Sequence, residues 1–487
     1  MNSERQGLRA LISKINGKPT LNFFTDEGLL PNYAFPEAGV TIRSILWRKS
    51  EQVELESGGG KFQRTTYDYE RPASAALSEL APDNYFYAGG NKVEIEQVDL
   101  NVSEVEEWRL CNNCNFTEDI LLTKDIHATC PNCGSAGWND SAQKTQMLKL
   151  RQVYARANLR DAKISDDSDN REPKFYNRQM LVAFEPEAIM QAYKIDSDEV
   201  PFGFDFLSKV SIKDINFGVP DNQSEQITVA GEIAPRSGFA VCKKCGMVKK
   251  GNKIKHDLTC SFKGDELASQ DPDNFIDCLY LYRELESEAI RIVLPVSSYS
   301  AGSEYEASFA SAIQLGLKKY FKGSIDHIKS TVFNEPINEG DARRHYLVIY
   351  DSIPGGTGYL KELMRDSDNL LKLIEFAFHT LDVCSCNSDP SKDGCYLCIF
   401  AYRDRQKMAL ISRDVAKSMM QGILENRNKL VKVTSLHEID PNILLESELE
   451  RKFIDTLKLA GKQWRLSKSQ INGKNGYLLT VGKQDEL

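Results

Sequence analysis

The chain has 487 residues, of which 41% are hydrophobic and 27% are charged, as in ordinary globular proteins. A chain of this length is too large for one compact core, so we expect three or four domains. The formal net charge of −9 excludes a protein that coats nucleic acid through overall positive charge, and any DNA contact must come from local basic patches.

The sequence also argues against membrane and secreted proteins. No stretch approaches the roughly 20 apolar residues that a membrane-spanning helix needs, and the N-terminal sequence MNSERQGLRA lacks the apolar core of a signal peptide. We therefore expect a soluble, cytoplasmic protein without a membrane partner. Its twelve cysteines should be reduced, and their spacing is typical of metal ligands rather than of disulfides. Eleven fall into three groups, while Cys278 is expected to be a buried structural thiol.

The first hundred residues combine an irregular aromatic stretch with strands. Residues 21–36 are rich in aromatic and leucine side chains but are interrupted by glycine and proline, which predicts an irregular segment packed on a larger neighbour. Alternation over 40–47 predicts a strand, and 71–80 predicts a short helix. Residues 85–98 predict a hairpin whose tip is Gly89, Gly90 and Asn91.

The first cysteine group has the spacing of a zinc ribbon. Cys111 and Cys114 form one CxxC pair, and after fifteen intervening residues Cys130 and Cys133 form a second. Two such turns present four thiolates, which suits the tetrahedral coordination of zinc. A redox CxxC motif or incidental cysteines are the alternatives. His127 could substitute as a ligand, but with four thiols available we expect it to lie outside the ligand set.

A second group follows an acidic, apolar-poor stretch at 161–171, which we interpret as a linker or exposed loop. Strands are expected over 180–184 and 226–233. Cys242, Cys245, His256 and Cys260 then supply three thiolates and one imidazole, enough for one closed zinc site. The alternative is that His256 is a surface residue and the cysteines bind no metal.

Residues 276–400 alternate strand and helix signals. Strands are expected over 289–294, 325–333 and 346–350, with helices beginning at Ser303 and covering 368–381. This order predicts an α/β layer. A further metal site ends the layer, because C-x-C plus C-x2-C closes a tetrahedron of thiolates; its ligands are Cys384, Cys386, Cys395 and Cys398.

The strand at 346–350 leads into the sequence DSIPGGTG. Asp351, Gly355, Gly356 and Gly358 define this turn. Its exposed amides could cradle a phosphate, but a tight turn that requires glycine backbone angles is the favoured interpretation.

Two basic clusters are candidate nucleic-acid contacts, although a run of charges is more often a solvated surface. The cluster beside the second cysteine group contains Lys243, Lys244, Lys249, Lys250, Lys253 and Lys255. The cluster after the third group contains Arg403, Arg405, Lys407 and Arg413.

The C-terminal segment contains one more candidate. Ser447 and Glu450 predict a capping box that opens an amphipathic helix. A remnant metal-dependent nuclease would use Glu448 or Glu450 as a metal ligand. Such nucleases also need an acidic pair and a lysine on a following hairpin, so a helix that is simply packed is the favoured interpretation.

The blocks LVIYDSIPGGTGYL and CSC...GCYLC resemble the zinc-binding C-terminal domain (MZB) of mitomycin-repair-type superfamily 2 helicases. That domain also occurs in the DrmB subunit of the DISARM phage-defence system. The likeness extends upstream through LLPNYAFPEAGV, SELAP and both CxxC-containing sites, over residues 20–415. The C-terminal helix resembles the first helix of nuclease-like domains attached to some of these helicases.

The resemblance implies an α+β, or mixed α/β, multidomain protein with three small zinc-binding elements and about three zinc ions per chain. These are a zinc ribbon, a CCHC-type site and a four-cysteine C-terminal site. The expected segments are a helicase-docking β-rich segment at 1–100, the ribbon at 101–160, a β-rich domain at 161–275, an MZB-like domain at 276–430 and a helical segment at 431–487.

The motor motifs of these helicases are missing from the chain. No GxxxxGK[ST] loop occurs, and Tyr359 follows the glycine turn where a P-loop has lysine. We therefore expect a DNA-binding accessory part of an ATP-dependent superfamily 2 helicase, whose motor lies in cis or in trans, in phage defence or DNA repair. A remnant nuclease and a protein–protein scaffold are the alternatives.

Overall fold

A computed structural model gives the fold. It describes residues 20, 39–49, 62–123, 127–164, 174–197, 200–220, 225–250, 256–263, 271–295, 303–323, 325–337, 343–389, 391–402, 407–439, 464–471 and 474–481. No helix within these ranges is long and apolar enough to cross a bilayer.

The secondary structure is mixed, as predicted. The strands are β1 Val40–Lys49, β2 Phe62–Arg71, β3 Tyr85–Ala88, β4 Asn91–Val98, β5 Val105–Leu110, β6 Thr117–Asp119, β7 Lys144–Lys149, β8 Gln152–Asn158, β9 Arg178–Ala183, β10 Ile189–Ile195, β11 Gly203–Asn216, β12 Gln226–Val229, β13 Glu232–Pro235, β14 Phe239–Cys242, β15 Phe275–Val293, β16 Ile328–Pro336, β17 Arg343–Asp351, β18 Leu430–Val433, β19 Trp464–Ile471 and β20 Lys474–Val481. The α-helices are α1 Ala73–Glu79, α2 Leu159–Ala162, α3 Ser303–Phe321, α4 Tyr359–Leu363, α5 Ser367–Asp382 and α6 Arg413–Glu425.

The chain forms two compact units that are interleaved in sequence. The first comprises Met1–Glu185, Lys209–Glu288 and Asp351–Thr357, and the second comprises Pro186–Ser208, Ala289–Tyr350 and Gly358–Leu487. The five segments expected from the sequence follow chain order, whereas these units do not. The boundaries of those segments stay a prediction.

In the first unit, a five-stranded sheet has the order β2-β1-β8-β4-β3. Residues of α1 and of the sheet form one buried core, which includes Leu77, Ile42 and Ile95. Hairpin β3–β4 turns at Gly89 and Gly90, both with positive φ, which confirms the predicted hairpin.

Further strands of the first unit place the first two cysteine groups. The N-terminal part of β15 pairs with β14 and with β7, and β7 continues to β5 and β6. Cys111 directly follows β5, and Cys242 ends β14. The single strand expected over 226–233 is wrong, because β12 and β13 form a hairpin that turns at Ala230 and Gly231.

In the second unit, the C-terminal part of β15 pairs with β17, and β17 also pairs with β16. Strand β10 pairs on one side with β18 and on the other with the first residues of β11. The core contains the apolar faces of α3 and α5, including Phe309, Ile313, Leu370 and Ile374. The three- and four-residue spacing of those side chains is what predicted both helices.

The segment 431–487 was expected to be helical, but the secondary structure of its described residues is different. Its described residues hold β18 and the hairpin β19–β20. The predicted helix that begins near Ser447, with Glu448 and Glu450, lies outside the described residues, as do residues 21–38.

Candidate metal centres

The first tetrad consists of Cys111, Cys114, Cys130 and Cys133, whose sulfur atoms converge in the first unit. The Sγ atoms of Cys111 and Cys133 lie 3.7 Å apart, as do those of Cys114 and Cys130. The backbone amides of Asn113 and Cys114 donate to the Sγ atom of Cys111 at 3.3 and 3.4 Å. The turn therefore aims backbone dipoles at a sulfur atom that carries negative charge once it is a thiolate.

Gly134 follows the second CxxC pair and completes the turn that carries Cys130 and Cys133. Gly134 has a φ of 72° and donates its amide to the Cys130 carbonyl at 2.8 Å. A left-handed backbone favours glycine because it lacks a Cβ atom. His127 is exposed and is not among the residues whose ligand atoms converge, as expected.

The second tetrad joins three thiols and one imidazole, also in the first unit. The Sγ atoms of Cys242 and Cys260 lie 4.0 Å apart. The Nδ1 atom of His256 lies 3.7 Å from the Cys245 sulfur and 3.5 Å from the Cys260 sulfur. The His256 ring nitrogen therefore lies with the three thiols as a fourth candidate ligand, and its role as a ligand stays a prediction.

The third tetrad lies in the second unit, directly after α5. Its Sγ distances are 3.5 Å for Cys384–Cys395, 3.4 Å for Cys384–Cys386, 3.7 Å for Cys386–Cys398 and 3.6 Å for Cys395–Cys398. Cys386 and Cys398 are part of the core of this unit, so the site closes the end of the packed helix layer.

These distances fit zinc. Four sulfurs at about 2.3 Å from a tetrahedral zinc ion are about 3.8 Å from one another, and a nitrogen ligand shortens its edges to about 3.6 Å. The observed edges run from 3.4 to 4.0 Å. A disulfide would need sulfur atoms about 2.0 Å apart, and all twelve cysteines are free thiols.

The chemistry of the donors also fits. One thiol in each tetrad ionises easily: hydrogen bonds with Cys111 and Cys114 lower the pKa of Cys130 to about 2, and that with Cys245 lowers the pKa of Cys242 to about 5. Burial raises the pKa of Cys395, but hydrogen bonds lower it to about 7. Because the thiolate is the metal-binding form, these lowered pKa values favour metal binding.

Sequence reasoning missed two side chains that support the tetrads. Buried Arg413, the first residue of α6, donates from Nη1 to the Cys386 Sγ atom at 3.4 Å. It therefore lies at the metal site and not in the exposed basic cluster to which we assigned it. Trp138 is fully buried in the cluster that contains the first tetrad. Sequence spacing gives little signal for either residue, since neither lies inside a ligand motif.

The other candidate DNA contacts have different environments. Lys243 and Lys244 are exposed, and the Lys243 ammonium donates to the Asp273 carbonyl at 2.6 Å. Lys249 is paired with Asp277 at 3.2 Å, and Lys250 with Glu94 at 2.7 Å. These two ion pairs would have to break before either lysine could contact phosphate.

Of the remaining five members of the two basic clusters, the structure describes one. Lys407 is exposed. Lys253, Lys255, Arg403 and Arg405 lie outside the described residues. DNA contact at either cluster stays a prediction.

The backbone amides of the glycine turn already donate hydrogen bonds to acceptors within the protein. The Asp351 carboxylate accepts hydrogen bonds from the amides of Ile353 and Thr357 at 2.9 and 2.7 Å. The amide of Gly355 donates to Glu286 and that of Gly356 donates to Ile353, at 3.0 and 2.9 Å. Because the Asp351 carboxylate and two backbone carbonyls already accept these amides, the geometry favours a tight turn over a phosphate cradle.

The backbone angles of the turn also favour glycine at three positions. Gly355, Gly356 and Gly358 have φ values of 80°, 77° and 87°. A Cβ atom on Gly356 would lie 2.5 Å from the Glu288 Cγ atom. Position 356 therefore requires glycine both for its backbone angle and for space.

Comparisons with known proteins bear on the third tetrad and on the chain as a whole. Residues 309–399 match the family model described as the MrfA Zn-binding domain, MZB. Druantia protein DruE of Escherichia coli (strain UMEA 4076-1) is 20% identical over 436 residues, which is 83% of this chain and 22% of that protein. The chain thus spans only 22% of the length of this curated relative.

A solved structure is also similar. It is a crystal structure of the DUF1998 helicase MrfA bound to DNA, with a TM-score of 0.36 and 11% identity, and the match covers 80% of this chain and 34% of that one.

The family match includes all four cysteines of the third tetrad, so zinc as the cofactor is confirmed. The chain therefore carries an MZB zinc-binding domain, as the resemblance predicted.

Proposed function

We propose that this chain is the zinc-stabilised, DNA-binding accessory part of an ATP-dependent superfamily 2 helicase that acts in phage defence or DNA repair. The motor would lie on the same polypeptide or on a partner. The observation that carries the proposal is the closed thiolate tetrad inside the residues that match the MZB family model. Hydrolysis of ATP would belong to the motor, since the chain contains no GxxxxGK[ST] loop.

The proposed role of zinc is mechanical. The loops that carry the ligands contain few apolar residues, and a bound metal ion fixes such loops because its binding free energy is folding free energy. A rigid loop holds its neighbouring side chains in one arrangement and reduces the entropy lost on binding. Lys243 and Lys244 lie inside the CxxC turn of the second tetrad, between Cys242 and Cys245, with exposed side chains, so this turn is the best-supported DNA contact.

The test is the salt dependence of DNA binding. Each phosphate contact adds about one unit to the slope of log K against log salt concentration. We expect the double variant Lys243→Ala/Lys244→Ala to bind DNA more weakly at 50 mM salt and to reduce the slope by about one to two units.

The matched control is Lys209→Ala, which removes a lysine whose side chain is 67% exposed elsewhere in the first unit. This variant should leave both the affinity and the slope unchanged. An unmodified chain that shows no salt-sensitive DNA binding would contradict the proposal and favour a scaffold. A reduced slope in both variants would show that the effect is not specific to the zinc turn.

A further inference from the structure

Five aromatic side chains of the second unit contact one another in a row. Between ring centroids, Phe376 of α5 lies 6.4 Å from Tyr320 of α3, and Tyr320 lies 5.0 Å from Phe321. Phe321 lies 5.1 Å from Tyr359 of α4, and Tyr359 lies 5.2 Å from His327. We call these five residues the aromatic row. Because each ring contacts the next, they form one continuous feature that joins three helices.

The row is fixed by the core and open to solvent at two rings. Tyr320 and Phe321 are half-buried and pack against the core of the second unit. Phe376 and Tyr359 are 47% and 38% exposed. Rings that are held by their neighbours lose little conformational entropy on binding. The two exposed rings are therefore preorganised for a ligand with flat apolar faces.

The segment 318–329, which carries three of the five rings, is strongly basic. It contains Asp326 and four exposed lysines, which are Lys318, Lys319, Lys322 and Lys329. Ser324, which has no charge, is the one residue of this segment that the structure does not describe. None of the four lysines forms an ion pair with another described residue, whereas Lys249 and Lys250 are both paired. Their ammonium groups are therefore available to an anionic ligand.

The segment 359–376, which carries the other two rings, does not cancel this charge. Its cations are Lys361, Arg365 and Lys372, and its acids are Glu362, Asp366, Asp368 and Glu375. Arg427 pairs with two of these acids, Asp368 at 2.9 Å and Glu375 at 3.2 Å. With Arg427 included this segment is neutral, so the row keeps the surplus of three positive charges that four lysines and one aspartate give to 318–329.

A complementary ligand must offer flat apolar faces together with closely spaced negative charges. Single-stranded nucleic acid offers both, because its bases stack on aromatic side chains while its phosphates contact lysines. A duplex keeps its base faces inside its own stack and would leave the exposed rings without a partner.

We propose that the aromatic row binds single-stranded DNA. Bases stack on Tyr359 and Phe376, and the lysines of 318–329 hold the phosphates. The choice of DNA, and its unwinding as the source of the single strand, rest on the proposed function. The row would thus hold a strand in the second unit, whereas Lys243 and Lys244 belong to the first.

The test compares two labelled strands of about twelve nucleotides by fluorescence anisotropy with the full chain. One is oligothymidine, and the other is an abasic strand that has the phosphates but no bases. The variant Tyr359→Leu/Phe376→Leu keeps apolar side chains and removes both stacking rings. We expect its Kd for oligothymidine to rise about tenfold or more and its Kd for the abasic strand to stay unchanged. Tyr67→Leu, at a tyrosine that is 45% exposed in the first unit, is the matched control and should bind both strands normally.

The lysines are tested by salt dependence. Each phosphate contact on a single strand contributes about 0.7 to the slope of log K against log salt concentration, so Lys319→Ala/Lys322→Ala should reduce the slope by about 1.4. Lys209→Ala should leave it unchanged. Both substituted lysines are exposed, so this variant stays informative even where the double leucine variant folds poorly. An unchanged slope would overturn the proposal.

Three further outcomes would also contradict the proposal. Unchanged oligothymidine binding by the leucine variant, with salt-sensitive DNA binding by the unmodified chain, would overturn the aromatic row and leave the proposed function standing. An equal loss on the abasic strand would show that stacking is not the cause. Unchanged DNA affinity with weaker binding to the helicase motor would make the row a protein-docking surface. Absence of salt-sensitive DNA binding by the unmodified chain would contradict the proposed function as well.

Discussion

Arg413 provides the sharpest test of how the third metal site is held. Its guanidinium group donates to the Cys386 Sγ atom at 3.4 Å and to the Asp414 carboxylate at 2.9 Å. The side chain is 8% exposed, so the hydrogen bond to sulfur is shielded from water. A hydrogen bond to a charged group contributes about 1.5–3 kcal/mol.

Each change of about 1.4 kcal/mol alters a dissociation constant tenfold, so loss of this hydrogen bond should raise the zinc dissociation constant of the site about 10- to 100-fold. The range agrees with the typical effect of removing a group that supports a metal ligand, which is also about 10- to 100-fold. We therefore expect Arg413→Met to weaken one of the zinc sites by that factor. The other sites should be unaffected, because they lie in the other unit.

The assay is a competition titration against a chromogenic zinc chelator. Arg413→Lys keeps the positive charge and should give an intermediate value. Lys417→Met, one helical turn away, removes an ion pair with Asp382 that is partly exposed and should contribute less than about 1 kcal/mol, so its zinc affinity should be normal. If every zinc equivalent of Arg413→Met titrates as in the unmodified protein, the assigned role of Arg413 is wrong.

Three further predictions follow from the metal sites and from one buried lysine. Elemental analysis should find about three zinc ions per chain, and fewer than two would contradict the assignment of the tetrads. Cys395→Ala should unfold the second unit, so a melting curve like that of the unmodified protein would count against a structural metal. Burial lowers the pKa of Lys213 to about 8, so between about pH 8 and 10.5 the unfolded chain binds a proton that the folded chain has released. The free energy of unfolding should therefore rise by about 3 kcal/mol across that window, and Lys213→Met should lose the rise in urea denaturation; equal rises in both proteins would refute the assignment.

The features that the sequence predicted well are set by local spacing. Helix α5 follows from apolar residues at three- and four-residue steps, and hairpin β3–β4 follows from Gly89 and Gly90 between alternating runs. The grouping of the candidate metal ligands into three tetrads was predictable for the same reason. Each pair of ligands sits on a short turn, whose geometry depends on only a few neighbouring residues.

Features that depend on distant partners were not predictable. The expected strand at 289–294 is the end of a strand that begins at Phe275. The sequence pattern did not predict its first part because charged Arg283 interrupts the apolar run. Arg283 is tolerated there since its Nε atom donates to the buried Asp214 carboxylate at 3.1 Å, 69 residues away. In the second unit, Arg291 and Asp205 form a fully buried ion pair at 2.6 Å across 86 residues. No local sequence pattern predicts an ion pair between residues so far apart in the chain.

The interleaving of the two units bears on how the protein is made. Phe202, Phe204 and Phe206 belong to the core of the second unit, but most of their partners come from residues beyond Ala289. A ribosome adding roughly 5–20 residues per second needs on the order of ten seconds to progress from residue 208 to residue 350. For that interval three phenylalanines are in water on a nascent chain, which is the kind of segment that chaperones shield. Deleting either unit would require several separate excisions, so gene truncation cannot readily produce one unit without the other.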